Sequence, residues 1–277
     1  MPTCRQIDDI VKMKRNKMKK IVALVAVLFS VVVPVQAHGA DQKSLVIIDA
    51  YFDSRVIGNN VSCFTPADKP CADIYTKTTA NFADVANHGD AMVQVAQRQN
   101  QNIKIIAIEA ATVSAKTVSE VTPAMFIDAL TWVDNHSTNV SAVSFSRYFN
   151  HINKPCMPTA SFPYTPETGD AAIKSLITSL NNKGIQVFAA AGNTFASTKI
   201  DYPACLSSVN AVTAPGLADN STVKYSANLV RLPLLGDNYL SSVFKAIPLT
   251  TSSATASIAA QYVSLGSIIG KPVKVTA

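Results

Sequence analysis

Five short apolar runs, interleaved with four stretches of helical spacing, set the limits on what this chain can fold into. Leu45-Val46-Ile47-Ile48 ends at Asp49; Ile103 to Ile108, Ala142 to Phe145, Ile185 to Ala190 and Val209 to Val212 follow in order. A strand covered on both faces has no polar side to show, so it reads as a continuous apolar run rather than as an alternation. Between these runs lie helical patterns. One sits behind Thr122-Pro123, an N-cap followed by proline at the first helical position, and continues through "AMFIDALTWVDNH". Another spans Ala171 to Asn182 and stops before Gly184, a C-cap region. A third starts around His88 and continues through "AMVQVAQRQ"; the last is "TSSATASIAAQYVSL", whose small residues suit a helix lying close on a sheet. This alternation predicts a three-layer α/β/α domain with a mainly parallel central sheet. No repeat, low-complexity tract or linker divides it.

The N-terminus stands apart. Met18-Lys19-Lys20 precedes the apolar run Ile21 to Val33, then Pro34 and Val35-Gln36-Ala37. A positive start, a short apolar core and a small-x-small ending mark a secretory signal peptide over residues 18–37, with cleavage after Ala37. The run is shorter than the ~20 residues of a spanning helix, which argues against a membrane anchor. Residues 1–17 read as an extension, either an overcalled start or a long leader to the signal, and residues 38–277 as one domain. The expected location is outside the cytoplasm, secreted or periplasmic, with no membrane attachment after cleavage.

This division changes the charge argument. The first 20 residues carry seven Lys/Arg against Asp8 and Asp9, nearly the whole of the chain's net +6. The remainder is close to neutral and has no basic stripe, so nothing points to nucleic acid. Cysteine use agrees with export. Cys4 precedes the domain, leaving Cys63, Cys71, Cys156 and Cys205. Four cysteines allow three pairings, and spacing favours a local Cys63–Cys71 bridge with Cys156–Cys205 closing a longer loop. Without a C-x-x-C or a nearby histidine pair, zinc is disfavoured.

In such a sheet, functional groups gather at the carboxyl ends of strands and the amino ends of helices. Asp49 ends the first strand, although strand-end aspartates also cap loops, bind metals or hold ribose hydroxyls. His88, followed by Gly89, stands at a loop-to-helix junction, where an imidazole faces a cleft or simply caps the helix. The uncharged run before Gly192 delivers the amide of Asn193 at a strand end. Ser252, near the start of the small-residue helix, has its backbone N–H beside the helix dipole; the alternative is that Thr250 to Ser253 only supply an N-cap. There is no G-x-S-x-G, H-E-x-x-H, P-loop or G-x-G-x-x-G.

Together these features become specific. Asp49 at the end of an apolar strand, then His88-Gly89, then "AAAGN" ending at Asn193, then "TSSA" with Ser252, resemble the subtilisin-like serine proteases, the subtilases. The order Asp, His, Ser is that family's order, and the resemblance runs from about Leu45 to about Val263. "YPACLSSVNAVTA" looks like the family's segment after the asparagine, and "VKYSANLVRLPLLGDNYLSSV" occupies the place before the nucleophile. The resemblance implies a subtilisin-like fold in which Ser252 attacks a peptide carbonyl, His88 takes its proton and Asp49 orients His88. It implies that the Asn193 amide and the Ser252 N–H hold the oxyanion, and that Ser146, with Arg147 beside it, lines the peptide substrate. The implied partner is a peptide or protein substrate. No acidic calcium loop stands out, so no metal or other cofactor is expected, and the sequence sets no oligomeric state.

Glycines of the family pattern are replaced. Its Asp-Thr-Gly is Asp49-Ala50-Tyr51 here, its Ser-Leu-Gly-Gly is Ser146-Arg147-Tyr148-Phe149, and its Gly-Thr-Ser is Thr250-Thr251-Ser252. Glycine permits close peptide approach that other residues resist. The seven residues between Ala37 and the first strand leave no room for the prosegment that the resemblance implies. A second reading therefore follows, a subtilase-fold protein that binds a peptide or partner without efficient proteolysis. A third, a metal enzyme using Asp49 with Glu109 as second ligand, has no supporting pattern.

Overall fold

The computed structural model describes residues 43–52, 60–71, 88–111, 121–147, 149, 156–194, 198–217, 223–226 and 250–266. The N-terminal extension and signal segment, Cys4, Tyr148 and the segment 227–249 lie outside them. Elements run in the order β1 (Ser44–Asp49), β2 (Val61–Phe64), α1 (His88–Gln99), β3 (Lys104–Glu109), α2 (Pro123–Asn135), β4 (Val140–Phe145), α3 (Pro166–Asn182), β5 (Gln186–Ala190), β6 (Asn210–Thr213), β7 (Val223–Ser226) and α4 (Thr251–Leu265). All seven strands pair in parallel, in the order β2-β3-β1-β4-β5-β6-β7.

Period-two alternation sorts the strand residues between two cores. Val46, Ile48, Ile108, Val143 and Phe145 meet Phe126 and Leu130 of α2 and Ile173 and Ile177 of α3. Leu45, Ile47, Ile105 and Ala107 face the other way, onto Met92 and Val93 of α1 and Ile258 and Ala259 of α4. Helices thus cover both faces, which is why β1 and β4 are buried at every position. In α4, every residue from Thr251 to Ala260 is buried, and its alanines and serines let the helix lie close on the sheet.

The five expected strands and four expected helices are present, with two differences. β2 and β7 are additional strands at the sheet's edges, each of four residues. Polar members such as exposed Ser62 and half-buried Lys224 break up any apolar run there, because an edge strand is incompletely covered. α3 begins at Pro166 rather than Ala171. Its first turn is polar and is held by a reciprocal cap: the Thr165 side chain accepts from Thr168 N at 3.2 Å, and Thr168 Oγ1 accepts from Thr165 N at 2.8 Å. At its far end Gly184 takes the positive φ of 78° that terminates the helix.

The topology positions the site. β1 is flanked by β3 on one side and β4 on the other, so the chain reverses its direction of growth at β1. Crevices outside the carboxyl ends of strands form at such a switch point, and Asp49 is the last residue of β1.

Candidate active site

Asp49 is fully buried, and both its oxygens are engaged. Oδ1 accepts from the Ala50 N–H at 2.7 Å, and Oδ2 lies 2.7 Å from His88 Nδ1. A carboxylate can only accept, so Nδ1 carries the proton and Nε2 of the neutral ring is an acceptor with no partner among the described residues. Burial, the largest influence, raises the Asp49 carboxyl. The charge and hydrogen bond of His88, the charge of Arg147 and the Ala50 N–H together outweigh it and hold the carboxyl below its usual range. His88 is the first residue of α1, its ring 22% exposed. Gly89 lets α1 start so close to the chain leaving β1. A β-carbon there would lie inside contact distance of the Tyr51 carbonyl oxygen and 2.8 Å from a Phe52 ring carbon.

On the other side of β1, Ser146 directly follows β4 and meets the start of α4. Ser252 Oγ donates to Ser146 O at 2.8 Å, and Ser146 Oγ donates to Ser252 O at 3.2 Å. Among the described residues no hydrogen bond joins Ser252 to His88; the one hydroxyl proton of Ser252 is committed to Ser146. The capping alternative is also present, carried by Thr250 and Ser253 of the expected run rather than by Ser252. Thr250 is the N-cap: its Oγ1 accepts from Ser253 N at 3.2 Å, while Ser253 Oγ accepts from Thr250 N at 3.1 Å.

That cap leaves an uneven set of amides at the helix start. The Ser253 N–H goes to Thr250 Oγ1, the Ala254 N–H to Thr250 O, and the Thr251 N–H to Asn193 Oδ1 at 2.9 Å. The Thr251 hydroxyl donates to the same Oδ1, also at 2.9 Å. Two donors remain without partners among the described residues, the Ser252 N–H and the Asn193 side-chain amide. Both neighbour Thr251 at the positive end of the α4 dipole.

Residues 201–205, further along from Asn193, are tied down from several directions. The Asp201 N–H donates to Ala191 O, and the Phe149 N–H to Tyr202 O, each at 3.0 Å. The Tyr202 hydroxyl donates to Asp170 Oδ1 at 3.1 Å, and burial with Asp170 alongside pushes the phenol upward. Cys205 lies against Cys156, and Cys63 against Cys71, each pair with Cα atoms 5.4 Å apart, the separation of a disulfide.

The fold therefore brings Asp49 to His88, and Ser252 to Ser146 and, through Thr251, to Asn193. Arg147 follows Ser146, half-buried and within electrostatic reach of Asp49. Thr251 was not singled out in the sequence as the residue that orients Asn193, because the Thr-Thr-Ser-Ser run reads equally well as a cap. Glu109, the register partner of Asp49 on β3, does not join it. Its Oε2 accepts from the Phe52 N–H at 3.4 Å, while both Asp49 oxygens are taken elsewhere. His136, the C-cap of α2, is stacked on Trp132 with ring centroids 4.2 Å apart.

The parallel seven-stranded sheet and the helices on its two faces define a subtilisin-like α/β fold. The chain is similar to the solved structure of a cold adapted subtilisin-like serine proteinase, with a TM-score of 0.53 at 17% identity over 80% of this chain and 74% of that one. It is also similar to the epidermin leader peptide processing serine protease of Staphylococcus aureus. There the TM-score is 0.50 at 13% identity, and 80% of this chain spans 64% of that one, a little under two thirds of its length. No family model and no curated protein matches the sequence. Among the described residues no helix is long and apolar enough to cross a membrane.

Proposed function

We propose that this chain is an exported serine endopeptidase that hydrolyses peptide bonds through Ser252, His88 and Asp49. The observation that carries the reading is the pair of donors without partners among the described residues, the Ser252 N–H and the Asn193 amide, beside the Ser252 hydroxyl. Donors fixed where negative charge develops need no reorganisation during reaction, and each is worth much more there than in water. The Asp49–His88 hydrogen bond supports it from the other side by presenting Nε2 as a base.

Reaction begins with rotation of the Ser252 hydroxyl away from Ser146 O toward His88 Nε2. As Oγ bonds to the peptide carbonyl carbon, its proton passes to Nε2, and Asp49 stabilises the imidazolium so formed. The carbonyl oxygen becomes an anion held by the Asn193 amide and the Ser252 N–H. Collapse expels the amine, which takes the proton from His88 and leaves an acyl-serine. Water then repeats the sequence in reverse, restoring the hydroxyl and releasing the acid. Export, signal cleavage after Ala37 and a single domain from residue 38 onward are part of the same proposal, supported by the signal pattern and the two cysteine pairs.

One observation favours a second reading, a peptide-binding protein without efficient turnover. The Ser252 hydroxyl is held by Ser146, and Tyr148 and Phe149 stand in the sequence where the family resemblance has two glycines. Labelling of the chain with a fluorophosphonate probe, beside a Ser252→Ala control, separates the two. Labelling that vanishes in the control is the expected result; a folded protein that never labels would establish the binding reading instead.

A further inference from the structure

The chain leaving β1 serves the site twice. Asp49 turns its carboxyl to His88, and the next residues, Ala50 to Phe52, form the surface against which α1 begins. All three are buried, Phe52 in the core it shares with Met92 and Val93 of α1. At Gly89, next to His88, a β-carbon would fall inside contact distance of the Tyr51 carbonyl oxygen and 2.8 Å from the Phe52 ring. With no slack between this segment and α1, a shift of Phe52 is passed through Gly89 to His88.

The end of β3 fixes the segment. β1 and β3 stay in register as far as Asp49 and Glu109, and the Ala110 N–H then donates to Asp49 O at 2.8 Å. Ile105 and Ala107 of β3 face α1, so Glu109, next in the alternation, stands on that side too. There its Oε2 accepts from the Phe52 N–H at 3.4 Å. Phe52 lies beyond the end of β1, so its N–H takes no part in the sheet ladder. A buried N–H without an acceptor is costly, which ties Phe52 to Glu109. Glu109 is itself costly to bury, and its carboxyl is pushed up to about 7, opposed by that same bond. A leucine would fill the space without this penalty. What leucine cannot do is accept from Phe52.

We propose that Glu109 is a positioning residue: by holding the Phe52 N–H it fixes the chain after β1 against Gly89, and so sets where the His88 ring meets Asp49. It touches no reacting atom. Its task is to keep Nδ1 within reach of Asp49 Oδ2, and thereby to keep Nε2 aimed. The effect on turnover rests on the protease reading, whereas the effect on the ring does not.

Two substitutions separate reach from charge. Glu109→Gln keeps an acceptor oxygen at the same length and removes the charge. Glu109→Asp keeps the charge and withdraws the acceptor by one methylene. Thr165→Ala, which removes the α3 cap on the other face of the sheet, controls for lost stability alone. The full chain is prepared with isotope-labelled histidine, and NMR reads the His88 tautomer at one fixed pH; His88→Ala identifies the signal. Kinetics on a peptide substrate and chemical denaturation are measured beside it. Glu109→Gln should keep the proton on Nδ1 and leave kcat close to that of the unaltered chain. Glu109→Asp should move the ring toward the Nε2–H form and lower kcat about tenfold with KM little changed. Thr165→Ala should lose stability and alter neither reading. A Glu109→Asp chain that matches the unaltered one overturns the proposal, as does a Glu109→Gln chain that loses as much as Glu109→Asp. Equal effects in Thr165→Ala also overturn it, since they would reflect general loosening. A chain that hydrolyses nothing but shows the tautomer change in Glu109→Asp alone keeps the role of Glu109 and removes the protease reading. Hydrolysis that is indifferent to every substitution at Glu109 does the reverse.

Discussion

Asn193 Oδ1 accepts two hydrogen bonds from one residue, the backbone N–H and the hydroxyl of Thr251, each at 2.9 Å. With its oxygen held twice, the amide has one orientation, and its NH2 group points away from Thr251. Thr251→Val removes one of the two bonds and keeps the shape. A bond of that kind is worth about 1 kcal/mol, so turnover should fall about fivefold with KM little changed. Asn193→Ala should cost about 10²–10³ in turnover. Steady-state kinetics on a peptide substrate decides; an unaffected kcat in both variants would remove Asn193 from the mechanism.

Asp49→Asn tests the other half of the site. An asparagine can offer its NH2 group to Nδ1, which stabilises the tautomer with the proton on Nε2 and removes the base. Turnover should fall about 10⁴-fold while the fold persists. A loss of less than tenfold would show that His88 does not depend on Asp49 for its orientation.

Gly89 has a steric reason to be glycine. Gly89→Ala drives a methyl group into the Tyr51 carbonyl oxygen and the Phe52 ring, and the backbone oxygen cannot turn aside as a side chain can. Overpacking of this kind costs about 1–3 kcal/mol, and activity should fall further than stability because α1 carries His88. Chemical denaturation read beside kinetics would separate the two effects.

The cysteine pairs should contribute unequally. Cys156 and Cys205 are 49 positions apart, Cys63 and Cys71 only 8. Loop-closure entropy predicts that serine pairs at these positions lose about 4 and about 2.5 kcal/mol respectively. Calorimetry of the two variants would refute this ordering if the short bridge proved the costlier to lose.

Glu109 should make stability depend on pH. Its carboxyl is raised from 4.5 to about 7, so between those values the folded chain holds a proton that the unfolded chain has lost. Stability from this group therefore falls as pH rises through that window, by on the order of 3 kcal/mol in all. Asp49, held low, acts oppositely: its contribution is present above the unfolded value and is lost as pH falls through the folded one. Glu109→Gln should leave stability unchanged near pH 4 and raise it at pH 8. Parallel melting curves of the two proteins across pH 4 to 8 would contradict the assignment.

Much of the fold was legible because it depends on local chemistry. Runs such as Leu45 to Ile48 name buried strands, Thr122-Pro123 names a helix start, and neither needs information from elsewhere in the chain. The order of Asp49, His88, Asn193 and Ser252 was legible as a family pattern. The edge strands β2 and β7 were not, since four residues with polar members carry too little periodicity to stand out. The first turn of α3 was missed for a related reason: its stability comes from the Thr165–Thr168 cap, not from apolar spacing.

The sequence by itself determined which elements form and which side chains stand at their ends, because helix, strand and cap are set by neighbours within a few positions. Only the tertiary structure decided how those ends meet. His88 reaches Asp49 across 39 positions, and Ser252 reaches Ser146 across 106. Both meetings follow from parallel strand order and from the close packing of α1 and α4 on one face. The same packing buried Glu109 at the end of β3, with one long hydrogen bond from the Phe52 N–H. Burial is a property of the assembled sheet, and no local pattern around Glu109 encodes it.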